Sequence, residues 1–174
     1  MGTSCYIVLE KEKRKYRIYR HYDGYPEGVV PDIYILRHFL GDPEYFLANF
    51  IFYAKLSFLV RDLAESKTDF RFWEGMYGVS SSSPETVVEY EYTIRLKRAV
   101  STDELPLTIR EPAVMGNEIK GGEVIFRGTL GEAYEKYGKD FPNGCHINRE
   151  LVEGDIKEIF AKIPVEALVN ALDR

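Results

Sequence analysis

The chain has 174 residues and a mass of 20.1 kDa, enough for one well-packed domain and short for two independent ones, so residues 1–174 are expected to form a single globular domain. Hydrophobic residues make up 45% and charged residues 29% of it, a balance that excludes a disordered or fibrous chain. The formal charge of −5 conceals a basic stretch from Lys11 to Arg20, where six cations face Glu12 alone, so a basic edge on an acidic body is expected to steer a partner in a salt-sensitive way.

The two cysteines, Cys5 and Cys145, lie near opposite ends without disulfide or zinc-site spacing, which favours a reducing, cytoplasmic setting. The N-terminus lacks the basic and apolar regions of a secretory signal. Tyr45 to Val60 is the most apolar tract, but Asn49, Lys55 and Ser57 interrupt it and it is short for a membrane crossing; no membrane association is expected. Thirteen tyrosines and ten phenylalanines suit broad strand faces that keep a polar tip in water.

In chain order, Ser4 to Glu10 reads as a strand with Cys5, Ile7 and Leu9 on one face and Tyr6 and Val8 on the other. Tyr16 to His21 resumes the alternation, with Tyr16, Ile18 and Arg20 opposite Arg17, Tyr19 and His21, and a hairpin is the economical connection. The stretch from His21 to Gly28 gathers an imidazole, carboxylates, two phenols and two glycines without an apolar repeat, and predicts a rigid surface loop. Pro31 predicts the first turn of a helix running to Leu40, stopped by Gly41.

Asp42-Pro43-Glu44 is the clearest local signal: a carboxylate to cap free amides, a residue with no amide, and an acid facing the positive helix end. The helix it opens carries apolar residues at three- and four-residue steps through Leu63, with Phe50, Ile51 and Phe58 widening the stripe, and is the expected central core element. Phe70 to Tyr77 is an aromatic segment of ambiguous period, followed by a serine run. Val87 to Leu96 alternates as a half-buried strand. Leu105 to Arg110 predicts a strand with Pro106 favouring an edge, and Glu123 to Arg127 predicts another.

Thr129-Leu130-Gly131-Glu132 fits a capping box, opening a helix to Tyr137 that Gly138 ends. Asp140 to Asn148 is loop-forming and contains Cys145-His146. Ile156 to Ile163 has strand-like composition, and Pro164 begins a last helix. Together these elements imply an α+β fold, a mainly antiparallel sheet packed against a long central helix and shorter helices.

Three functional expectations follow. The leading one is a soluble interaction protein that contacts a protein partner, or a second copy of itself, through the 21–28 loop and the basic hairpin; Arg17, Arg20, Tyr22 and Tyr25 supply directional donors and rigid rings. The second is a small enzyme in which His21 is acid or base, Asp23 orients it and Glu27 is a further acid. The third, weaker on an acidic chain, is single-stranded nucleic-acid binding, with basic groups on phosphates and Tyr16, Tyr19 and Tyr22 on bases.

No cofactor or metal is expected from spacing. His21, Asp23, His38, Cys145 and His146 are competent ligands, but no four have structural zinc spacing, which leaves metal binding to long-range convergence. Adjacency alone does not make Cys145-His146 a catalytic pair, because sequence neighbours usually point apart. The glycine-rich stretches 116–122 and 128–131 lack the phosphate-loop ending and read as turns.

Residues Tyr19-Arg20-His21-Tyr22-Asp23-Gly24-Tyr25-Pro26-Glu27-Gly28 resemble a pattern in small uncharacterised microbial and phage proteins that pair it with a tyrosine-rich strand such as Tyr90-Glu91-Tyr92-Thr93-Ile94. The match is partial. It implies a related α+β fold and a viral or mobile-element context, with no established activity to carry over.

Overall fold

A hairpin of β1 (Cys5–Lys11) and β2 (Arg14–Arg20) forms part of a six-stranded sheet in the computed structural model, which describes residues 2–65, 76–80, 88–97, 100–115 and 118–166. The remaining strands are β3 (Tyr77–Ser80), β4 (Tyr90–Arg95), β5 (Pro106–Met115) and β6 (Glu118–Thr129), in the order β3-β2-β1-β4-β5-β6. All neighbouring pairs are antiparallel except β1 and β4, which run parallel with Cys5 opposite Tyr90 and Leu9 opposite Ile94. A parallel neighbour requires a crossover rather than a turn. The helical layer lies between β2 and β3 in the chain.

That layer comprises α1 (Pro26–Ile35) and α2 (Pro43–Ala64), joined by α3 (Leu130–Tyr137), α4 (Arg149–Glu153) and α5 (Ile156–Ala161) from later in the chain. The fold is α+β, a mainly antiparallel sheet with a long helix and shorter ones. Alternation places Cys5, Ile7 and Leu9 of β1, Ile18 of β2, Tyr92 and Ile94 of β4 and Leu107 and Ile109 of β5 on one buried face. Against them pack Val29, Val30 and Ile33 of α1 and Phe46, Phe50 and Ala54 of α2. A smaller cluster of Tyr6, Val8 and Val88 occupies the opposite face.

The local signals explain the helix starts. The Asp42 carboxylate accepts the amides of Glu44 and Tyr45 at 2.9 and 3.2 Å, a cap worth about 1 kcal/mol. Thr129 and Glu132 form the reciprocal capping box that opens α3. Among the described residues, no helix is long and apolar enough to cross a membrane.

Four expectations require correction. The helix predicted from Pro31 to Leu40 instead begins at Pro26 and ends at Ile35, followed by a 3-10 turn at Arg37–Phe39. Pro26 already supplies the preferred first-turn proline, and packing of the apolar run tolerates Pro31 inside the helix. The strand predicted over Ile156–Ile163 is the short helix α5, which Asp155 caps through the Lys157 amide. β5 is an inner strand rather than an edge; Pro106 is tolerated as its first residue. β5 and β6 are also longer than predicted, a ladder whose two register shifts blur the alternation. The segment 70–75, the serines from 81, residues 116–117 and the final helix beyond 166 lie outside the described residues.

Candidate metal centre

The end of β2 reverses into a loop held from inside the protein. In the hairpin register Arg20 stands opposite Cys5 and shares the core face with Ile18, so its guanidinium enters the interior at 0% exposure. There its Nε donates to the Tyr22 carbonyl at 2.8 Å, and one Nη donates to the Gly28 carbonyl at 3.4 Å and to Asp32 Oδ2 at 2.7 Å. Asp32, on α1, is equally buried. Burial opposes the Arg20 charge, but Asp32 and its other neighbours outweigh that penalty and keep it cationic. Among the described residues, the second Nη of Arg20 has no hydrogen-bond partner.

Asp32 also fixes a distant piece of chain. Its Oδ1 accepts the backbone amides of Cys145, His146 and Ile147 at 2.8, 3.2 and 3.1 Å. Ser57 of α2 holds the same loop by accepting the Asn148 amide at 2.8 Å, and the Asn148 side chain caps α4. Gly144 turns the loop with φ of +91°. A Cβ there would lie 1.8 Å from the Ile147 carbonyl oxygen, so the turn requires glycine.

On the facing side, Asp23 has a left-handed backbone with φ of 52°, a conformation that aspartate tolerates better than most residues. Gly24 is pinned by its amide on the Thr3 carbonyl and by the Tyr92 hydroxyl on its own carbonyl. A Cβ on Gly24 would meet the Ser4 and Thr3 backbone within 2.8 Å. The Asp23 carboxylate consequently points at the 145–146 loop, 2.8 Å from His146 Nε2.

His146 is 3% exposed. Its Nδ1 lies 2.5 Å from the Tyr77 hydroxyl, and its ring meets Phe58 edge-on with 4.9 Å between centroids. Burial, followed by the Arg20 charge, lowers the His146 pKa below the usual imidazole range despite the Asp23 bond. The His146 bond, against a burial penalty, lowers the Asp23 carboxyl, and burial raises the Tyr77 phenol. These directions assign the protons at neutral pH. The Asp23 carboxylate only accepts, so Nε2 carries the imidazole proton and Nδ1 accepts from the Tyr77 hydroxyl.

The Cys145 thiol completes the cluster. Ligand atoms of Asp23, Cys145 and His146 all lie within 4.8 Å of one another. Burial, then the Asp32 charge, pushes the free thiol up to about 12, while Arg20 is the neighbour that favours the thiolate. As an unassisted nucleophile the thiol is therefore inert at neutral pH. Both imidazole nitrogens are engaged, by Asp23 and Tyr77, which leaves no lone pair to deprotonate it.

The donor set suits a divalent transition ion. Thiolate, imidazole and carboxylate together favour zinc, whose bonds of about 2.0–2.3 Å place donor atoms roughly 3–4 Å apart; the donors here lie within 4.8 Å, and the 2.8 Å Asp23–His146 hydrogen bond would have to open to admit an ion. Arg20, whose charge favours the Cys145 thiolate, supplies the cation that a thiolate would need.

The residues expected from the sequence are divided by this arrangement. Asp23 has an imidazole partner, but it is that of His146; His21 is exposed, its Nδ1 lies 2.6 Å from the Tyr19 hydroxyl, and its ring packs on Tyr22. Glu27 is half-buried in the first turn of α1. Arg20, expected to meet a partner at the surface, is sealed in the interior; Arg17, Tyr22 and Tyr25 are half-buried. Tyr25 stands close enough to Cys145 for each to influence the other's proton, although burial is the main reason its phenol is raised. His38 is exposed on the 3-10 turn, outside the cluster.

Sequence reasoning missed Tyr77, Asp32 and the pairing of His146 with Asp23. Two signals were available: Arg20 is in phase with Ile18, and Asp32 is the lone charge within Val29-Val30-Pro31-Asp32-Ile33. A cation and an anion each in an apolar pattern call for one another. Compared with known proteins, the chain matches no family model, no curated protein and no solved structure.

Proposed function

We propose that this protein is a small metal-dependent enzyme whose centre is Asp23, Cys145 and His146, with zinc the ion these donors suit and hydrolysis its reaction class. The carrying observation is the convergence of the three donors within 4.8 Å, although Asp23 and His146 lie 123 positions apart. Three protein ligands and an open fourth position distinguish catalytic from structural zinc, and the ion would polarise water or a substrate carbonyl there.

The chain's own residues prepare that position. Asp32 holds the backbone of the two loop ligands, and Arg20 offsets the negative charge of a Cys145 thiolate. With Nε2 given to an ion, the imidazole proton would move to Nδ1 and be donated to the Tyr77 oxygen, which would fix the ring. Asp23 remains partly exposed, so exchange with solvent is open from its side.

Titration of the metal-free protein with zinc, and with cobalt as a spectroscopic substitute, tests the reading. One ion per chain is expected, with a thiolate-to-cobalt absorption band that Cys145→Ser abolishes and that His146→Ala and Asp23→Ala weaken. Binding by the folded protein no tighter than that of a variant lacking all three side chains would reject it.

A further inference from the structure

Between α2 and the 143–148 loop lies a cleft of about 290 Å³ whose lining includes Cys145 and His146 on one side and Ser57, Phe58 and Arg61 on the other. At roughly 30 Å³ per water molecule it has room for a small compound or group. Its cation is Arg61. The guanidinium carbon stands 4.4 Å from the Phe58 ring centroid, and the same ring packs edge-on against the His146 imidazole. Arg61 is thus seated on an aromatic platform that also supports a metal-site residue.

Its charge is largely uncommitted. The Arg61 side chain is 53% exposed, and its ion pair among the described residues is with its neighbour Asp62 at 3.7 Å, too long for a good hydrogen bond. Arg61 also contributes, behind His146, burial and Arg20, to the electrostatic environment of the Asp23 carboxylate, so its field reaches the cluster. Ser57 cannot compete for a ligand, since its hydroxyl already donates to the Tyr53 carbonyl and accepts from Asn148. Among the described residues, the one carboxylate in the lining is Glu150, exposed in the first turn of α4. Among the described lining residues, Arg61 and Glu150 are the charged side chains outside the cluster.

We infer that the cleft takes a small anionic group, a carboxylate or a phosphate, held by the Arg61 guanidinium beside the Asp23, Cys145 and His146 cluster, so that the substrate class is a small anion. The catalytic purpose of this subsite rests on the metal-centre reading; anion capture itself does not. Arg61 offers a planar, charged donor fork matched to two oxygens, and Glu150 opposes a second negative charge. A singly charged ligand is favoured.

Fluorine NMR with trifluoroacetate and monofluorophosphate as probes, at constant ionic strength, separates the two ligand chemistries. The titration is run on zinc-loaded and on metal-free full-length protein. Trifluoroacetate, a monoanion, is expected to bind the wild type saturably and more tightly than monofluorophosphate, which is doubly charged at neutral pH; Arg61→Gln should weaken binding about tenfold or more, Arg61→Lys less, and Glu150→Gln should tighten it. Zinc should still bind all four proteins, and Arg61→Gln should bind it at least as tightly as the wild type, because a cation whose field reaches Asp23 has been removed. Should zinc fail to bind, an Arg61-dependent signal from metal-free protein still supports the anion subsite while the metal centre falls. Equal binding by wild type and Arg61→Gln, or no binding of either probe, overturns the inference.

Discussion

The Asp32 carboxylate accepts the backbone amide of His146, 114 positions further along the chain, through both of its oxygens at 3.2 and 3.0 Å. One oxygen also takes the amides of Cys145 and Ile147, and the other takes Arg20. A single buried carboxylate therefore joins the end of β2, the middle of α1 and the loop that bears two of the three candidate ligands. Asp32→Asn keeps much of the shape but leaves the Arg20 charge uncompensated in the interior, which costs about 3–5 kcal/mol. Urea unfolding should show a loss of that order, and zinc titration a parallel loss of affinity. A variant within about 0.5 kcal/mol of the wild type would contradict this role.

Among the described residues, the hydrogen bond of Tyr77 to the candidate centre is the one with His146 Nδ1. Replacing Tyr77 with phenylalanine removes the group that orients the imidazole while retaining the ring beside Phe50. Outer-shell losses of this kind typically weaken metal binding about 10- to 100-fold. Competition against a chromophoric chelator should show a drop in that range for Tyr77→Phe and a larger one for His146→Ala. Equal affinities for Tyr77→Phe and wild type would remove Tyr77 from the site.

Two glycine-to-alanine substitutions should differ sharply. At Gly144 an added Cβ falls 1.8 Å from the Ile147 carbonyl oxygen on a backbone with positive φ, so the loop must deform at a cost of about 1–3 kcal/mol or more. At Gly41 an added Cβ has nothing within 4 Å among the described residues, and alanine should be neutral or slightly stabilising, within about 1 kcal/mol. Thermal unfolding of the two variants checks the contrast, and only Gly144→Ala should also impair zinc binding.

Glu89 is one identifiable source of acid sensitivity outside the candidate centre. Burial raises the Glu89 carboxyl, but the Ser4 hydroxyl and amide, at 2.6 and 2.7 Å, more than reverse that and hold it below the usual carboxylate range. A lowered folded-state pKa adds stability above the unfolded pKa of about 4.3, and that stability is lost as pH falls through the folded value. Glu89→Gln should therefore be less stable than the wild type at neutral pH, with the gap closing below about pH 4. A gap that stays constant down to pH 2 would rule out this contribution.

Where information was local, residues announced their structure. Asp42-Pro43-Glu44 and Thr129 with Glu132 specify helix starts because the capping partners lie within three positions. The alternation of Cys5, Ile7 and Leu9 identified the core face of β1, because side chains reverse direction at every residue of a strand. Ile156–Ile163 misled because a strand-like composition was overridden by the Asp155 cap and the helical layer.

By itself the sequence determined the mixed architecture, the starts of α2 and α3, the β1–β2 hairpin and the proximity of Asp23 to a tight turn. Those features depend on neighbours within a few positions. The tertiary structure alone decided which imidazole Asp23 meets, that Arg20 turns inward to Asp32, and that Cys145 and His146 sit beside the 21–28 loop. No periodicity encodes such contacts: they arise when a helical layer closes on a sheet and every charge buried in the process must find its opposite.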